Sequence, residues 1–83
     1  MKVEYSRRAE KELDAMHEPV QSRIRNGVNM LPYGDVKKLA GTKRDMYRLR
    51  IGNYRIIFER QEQQDKIVVT GITTRGQAYK KGA

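Results

Sequence analysis

The 83-residue chain has no cysteine and no tryptophan, and only one histidine, one phenylalanine and two prolines. Without cysteine there is neither a disulfide framework nor a thiolate metal site. His17 alone cannot assemble a zinc centre, and no set of carboxylates falls at metal-ligand spacing, so neither a metal nor any other cofactor is expected. No apolar run approaches the ~20 residues that span a bilayer, and the first residues carry no apolar stretch of signal-peptide type. A soluble, cytoplasmic protein without a membrane partner is the expectation. The second half of the chain is also short of acid. Residues 37–83 hold 12 Lys or Arg against 4 Asp or Glu, whereas residues 1–36 hold 6 of each, so the formal net charge of +8 resides entirely in the second half. That balance, with a pI near 10.1, favours nucleic acid, an anionic surface or an acidic protein as partner. Charge alone does not choose among these.

What is present suits one domain, residues 1–83, with 37% apolar residues available for a sheet covered on one side by helices. Lys2 to Tyr5 alternates as a short strand. Ser6 is suited to cap a helix from Arg7 to His17, in which Ala9, Leu13 and Met16 recur at helical spacing. Pro19 fits the first turn of a second helix whose stripe is Val20, Ile24, Val28 and Leu31. Gly27 inside that helix costs about 1 kcal/mol relative to alanine, which predicts a close helix–helix approach or slight fraying there. Pro32, Tyr33 and Gly34 stop the helix, and Asp35 to Asp45 reads as a polar, basic loop anchored by Leu39 and turned at Gly41.

Two beta-like segments follow, Met46–Ile51 and Tyr54–Glu59, separated only by Gly52 and Asn53, a pair that suits a two-residue hairpin. Pairing across that turn sets Ile51 against Tyr54, Arg50 against Arg55 and Arg48 against Ile57. Tyr47, Leu49, Ile51, Tyr54, Ile56 and Phe58 then share an apolar face for the helices to cover. The opposite face carries two arginines side by side, which costs stability unless an anion joins them. A polyphosphate chain is the anion this arrangement suits. Gln61 to Asp65 reads as a turn, and Lys66 to Thr74 as a last strand in which Gly71 marks a bulge or close backbone approach. The expected fold is a small two-layer α+β domain, in the order β-α-α-β-β-β, with an N-terminal strand and helical hairpin packed on a mostly antiparallel sheet.

Lys38 to Gly41, the core Tyr47 to Phe58 (YRLRIGNYRIIF), and Ile72 to Tyr79 (ITTRGQAY) together resemble the RelE/ParE superfamily of type II toxin–antitoxin toxins. The resemblance covers nearly the whole chain, since the leading strand and helical hairpin also fit, and it lies closer to the RelE branch. That branch cuts messenger RNA in the ribosomal A site, whereas the ParE branch poisons DNA gyrase without known nuclease chemistry. Carried over residue by residue, the paired basic positions before the hairpin turn fall on Arg48 and Arg50, where the ribonuclease branch commonly has lysines. The arginine after the turn falls on Arg55, the late arginine on Arg75 and the C-terminal tyrosine on Tyr79. The partners implied are a cognate antitoxin, the ribosome with its mRNA, and operator DNA bound by a toxin–antitoxin hetero-oligomer.

RNA brings its own nucleophile, the 2′-OH beside the scissile phosphate. Arg48, Arg50, Arg55 and Arg75 are suited to bind the nonbridging oxygens and stabilise the charge that develops there. Arginine stays charged near neutrality and is a poor proton donor. Nearby guanidinium groups favour a phenolate, which makes Tyr79 the candidate base, with base stacking as its other role. Lys43, His17 and a group of the ribosome are the candidates for protonating the leaving group. Lys37, Lys38, Lys43 and Arg44 bracket the Leu39 loop and are expected to bind RNA phosphates for position and affinity. Each residue also has a plain structural reading. Arg48 and Arg50 would be solvent-side strand residues paired diagonally with Glu59, Arg75 a neutraliser of the chain end, Tyr79 a cover for a sheet edge, and His17 a helix-end cap. Two further functions stand beside the nuclease: a gyrase inhibitor without nuclease activity, and a non-catalytic RNA- or ribosome-binding domain.

Overall fold

A computed structural model describes residues 2–41 and 43–74. Strand β1 (Lys2–Tyr5) leads into helices α1 (Arg7–Asp14) and α2 (Val20–Asn29), followed by β2 (Asp35–Lys38), β3 (Met46–Ile51), β4 (Tyr54–Gln61) and β5 (Lys66–Thr74). The strands form one sheet in the order β1-β5-β4-β3-β2, with β1 parallel to β5 and the remaining neighbours antiparallel. Both helices cover one face of it. The result is the α+β architecture expected, with one strand more.

That extra strand corrects the reading of residues 35–45 as a loop. Asp35–Lys38 pairs with β3 through Val36↔Leu49 and Lys37↔Arg48. With Val36 its only apolar residue, β2 has no hydrophobic alternation to read; partnership with β3 makes it a strand, at the sheet edge where lysines are tolerated. Leu39 remains an anchor, half-buried and donating its N–H to the carbonyl of Met46 at 2.9 Å. Gly41 turns the chain at φ +77°.

Helix α1 starts where the cap was expected, the Ser6 hydroxyl accepting from the Ala9 amide at 3.1 Å. It ends at Asp14, three residues short of His17, as the Met16 amide tightens onto the Leu13 carbonyl at 3.0 Å. Pro19 occupies the cap position of α2 rather than its first turn, and Glu18 supplies the missing cap interaction by accepting from the Ser22 amide at 2.8 Å. Gly27 answers a different need from the one expected. A Cβ there would stand 2.3 Å from Cδ1 of Ile51, so it lets α2 approach strand β3 and not the other helix.

Ala9, Leu13, Ile24 and Val28 from the helices meet Leu49, Ile56, Phe58, Ile67, Val69 and Ile72 from the sheet, all buried. Val69 and Ile72 both face inward although they are three apart in a strand of period two. The bulge resolves this: Ile57 pairs with Gly71 and Phe58 with Val69, leaving Thr70 as the extra residue. Beyond it, Thr73 stands opposite Arg55. Where β1 has already left β5, Glu12 of α1 takes its place and accepts from the Ile72 amide at 2.8 Å.

Candidate functional site

The hairpin register is as read from the sequence: Ile51↔Tyr54, Arg50↔Arg55, Arg48↔Ile57. Because Leu49, Ile56 and Phe58 are buried under the helices, strand alternation places Arg48, Arg50 and Arg55 together on the open face. Strand β2 adds to it, setting Lys37 against Arg48 and Asp35 against Arg50. A depression of about 400 Å³ opens among Lys37, Lys38, Leu39, Ala40, Arg48, Arg55 and Ile57. Its lining combines apolar Leu39, Ala40 and Ile57 with the four cationic residues Lys37, Lys38, Arg48 and Arg55. Such a pocket accepts an anion attached to something less polar.

The three arginines are held differently. Arg48 is only 18% exposed and donates from Nη1 to the Asp35 carbonyl at 3.0 Å, with the Asp35 carboxylate at 3.4 Å. Its anchor is therefore Asp35 and not Glu59, which lies 3.9 Å from Arg44 instead. Arg50 is exposed, and Arg55 is half-buried with contacts of its own. Of the other basic residues, Lys43 is exposed and Lys38 reaches Asp45 at 3.7 Å. Arg75 and Tyr79 lie outside the described residues. His17 is exposed in the link between the helices, where its carbonyl accepts from Val20 at 3.0 Å, and it lines a cleft on the helical side of the sheet with Tyr54 and Thr74. The described geometry therefore keeps His17 off the arginine face.

A buttress behind this face escaped the sequence reading. Asp45 bonds Nε of Arg60 at 3.1 Å and also faces Lys38 and the Tyr47 hydroxyl. The hydroxyl's hydrogen bond, then the Arg60 and Lys38 charges, hold the Asp45 carboxyl below its ordinary value. The same hydrogen bond, then desolvation, pushes the Tyr47 phenol up. Tyr47 stacks on Phe58 with centroids 5.4 Å apart and lies under the Arg60 guanidinium at 5.6 Å. Tyr47 is thus the packing residue expected, and its cluster ties the end of the basic loop to β4. The only trace in the sequence was an Asp and an Arg flanking the hairpin. Among the described residues no three His, Cys, Asp or Glu converge to hold a metal ion, and no helix is long and apolar enough to cross a membrane.

Residues 3–79 match the family model described as the ParE toxin of type II toxin–antitoxin system, parDE. The chain belongs to this toxin family, within the RelE/ParE superfamily. No curated protein sequence matches it. Among solved structures, the toxin resembles the archaeal RelE–RelB complex from Pyrococcus horikoshii OT3 at 28% identity and a TM-score of 0.76, over 90% of this chain and 94% of that one. The RelB–RelE antitoxin–toxin complex from Methanococcus jannaschii has the same TM-score at 24% identity, over 93% of this chain and 95% of that one. The isolated E. coli RelE toxin aligns at 16% identity and a TM-score of 0.73, over 99% of this chain and 98% of that one. The last two likenesses speak for the fold.

Proposed function

We propose that this toxin is a ribosome-dependent mRNA endoribonuclease that works without a metal. The observation that carries the reading is the in-register pair Arg50↔Arg55 on the open face, beside a depression rimmed by Lys37 and Arg48. The 2′-OH attacks the adjacent phosphorus, giving up its proton to a base while the P–O5′ bond breaks. The products are a 2′,3′-cyclic phosphate and a 5′-OH that takes up a proton. Arg55 and Arg50 neutralise the charge gathering on the nonbridging oxygens, and Arg48, pre-set by Asp35, fixes the phosphate's position. Arg75 is assigned to the same charge and Tyr79 to the base. Lys37, Lys38, Lys43 and Arg44 hold the flanking backbone.

The archaeal RelE–RelB complex at 28% identity supports a cognate antitoxin as this toxin's partner, and operator DNA is proposed as the target of their joint complex. An acidic, partly apolar antitoxin segment suits the +8 chain. The ParE name of the matching family model favours a second reading, a gyrase-directed toxin that binds without cutting. Primer extension on mRNA in purified ribosomes separates the two. Breaks within the A-site codon are expected. Intact message with accumulated gyrase–DNA cleavage complexes would replace the first reading with the second.

A further inference from the structure

The β3–β4 turn gathers guanidinium groups from both layers of the fold. Arg50 and Arg55 arrive from the open face, in register across the hairpin. Arg23 arrives from α2, and its Nη1 lies 3.9 Å from the point where a Cβ on Gly52 would stand. Gly52 sits at φ +57°, so the turn presents bare backbone where Arg23 crosses it. A notch of about 100 Å³ opens there among Arg50, Gly52, Asn53, Tyr54 and Arg55. Arg55 also lines the larger depression at Lys37 and Arg48, so the two concavities share a residue. Among the described residues, neither Arg23 nor Arg50 has an ion-pair partner. Arg23 and Arg50, set at one turn without a described counter-ion, repel each other, and an anion seated between them removes that cost.

We propose that Arg23 and Arg50 form a second phosphate subsite at the β3–β4 turn, which takes the phosphate next to the one held at Lys37, Arg48 and Arg55 on a single strand of RNA. The assignment rests on reading the open face as RNA-binding and extends it around the end of the sheet. A backbone that runs from the open face over Gly52 toward α2 bends sharply within neighbouring nucleotides. A single strand does this readily, whereas a duplex with a persistence length of about 150 bp does not. Arg23 belongs to the helical layer and positions the strand; the chemistry stays on the open face.

The test is binding of the full toxin to a short 2′-O-methylated single-stranded RNA, which has no free 2′-OH and is not cut, measured by fluorescence anisotropy across a salt series. Each phosphate contact on a single strand contributes about 0.7 to the slope of log affinity against log salt. Arg23→Gln is expected to weaken binding and lower that slope by about 0.7, and Arg23→Lys to retain it. Lys11→Gln removes the same charge from the exposed surface of α1 and is expected to leave the slope unchanged. Equal losses in Arg23→Gln and Lys11→Gln would reduce the effect to net charge and overturn the subsite. So would a slope untouched by Arg23→Gln, wild-type toxin that does not bind the oligomer, or an Arg23→Gln defect confined to an acidic antitoxin peptide. Because the oligomer is not cleaved, absence of ribosomal cleavage would overturn the nuclease reading and leave this one standing.

Discussion

Arg48 and Arg55 look equivalent in the sequence, two arginines on neighbouring strands, and the structure separates them. Arg48 is bound into β2 through Asp35, whereas Arg55 lines two concavities and stands opposite Arg50. Arg55→Ala is therefore expected to open no core cavity and to lower folding stability much less than it lowers cleavage. If it meets the transition-state phosphate, its loss costs roughly 3–4 kcal/mol in single-turnover cleavage on saturating ribosomes, by analogy with lost oxyanion donors. Undiminished cleavage would remove Arg55 from the site. Alternation and a two-residue turn made the shared face of these arginines legible, because one slip would have put apolar side chains in water. The Asp35 anchor was not legible, since it depends on a strand the sequence hides. Asp45 carries a separate test. Its folded-state carboxyl titrates below the ordinary 3.8, so its stabilisation is present above that pH and is lost as pH falls through the lower folded value. Urea unfolding from pH 7 to 3 should show Asp45→Asn less stable than wild type near neutrality and the gap closing in acid. A gap independent of pH would mean that the Asp45 charge is not what holds the cluster.

At the scale of elements, the parts that sequence made plain are those whose pattern is set by their own burial. Strand β5 spans Lys66–Thr74 as read, and the bulge falls beside Gly71. The misreadings occur where a partner decides. Strand β2 exists because β3 offers it a ladder, and α1 stops at Asp14 because the turn toward Pro19 tightens its end. Gly27 is the instructive error: its spacing was right and its neighbour wrong, because a helix pattern shows which side is buried without showing what lies opposite. Gly27→Ala should gain about 1 kcal/mol of helix propensity and lose about 1–3 kcal/mol to crowding against Ile51. A net loss in thermal unfolding is expected. Ile51→Val removes the Cδ1 atom in the way, so the double variant should be more stable than the sum of the single effects predicts, with coupling above about 0.5 kcal/mol. Strict additivity would place the conflict elsewhere.

For the molecule as a whole, charge and architecture act together. One face of the sheet is committed to the helices, so Arg48, Arg50 and Arg55 share the other, where attraction sums over a surface. The body is small, 33 × 30 × 23 Å, so charges at its rim are within a few Debye lengths of one another at physiological salt. An approaching polyanion therefore meets a collective field before it meets any single side chain. This predicts that capture of an acidic antitoxin segment is steered: its association rate should fall at least about tenfold as salt rises to several times the physiological level, while dissociation changes much less. Neutralising Lys43 and Arg50 together, both exposed, should lower the low-salt association rate and flatten its salt dependence. Stopped-flow association across a salt series measures both quantities. Rates indifferent to salt and to the double neutralisation would show that the antitoxin is recognised through apolar contacts, with the +8 left to serve the nucleic-acid target alone.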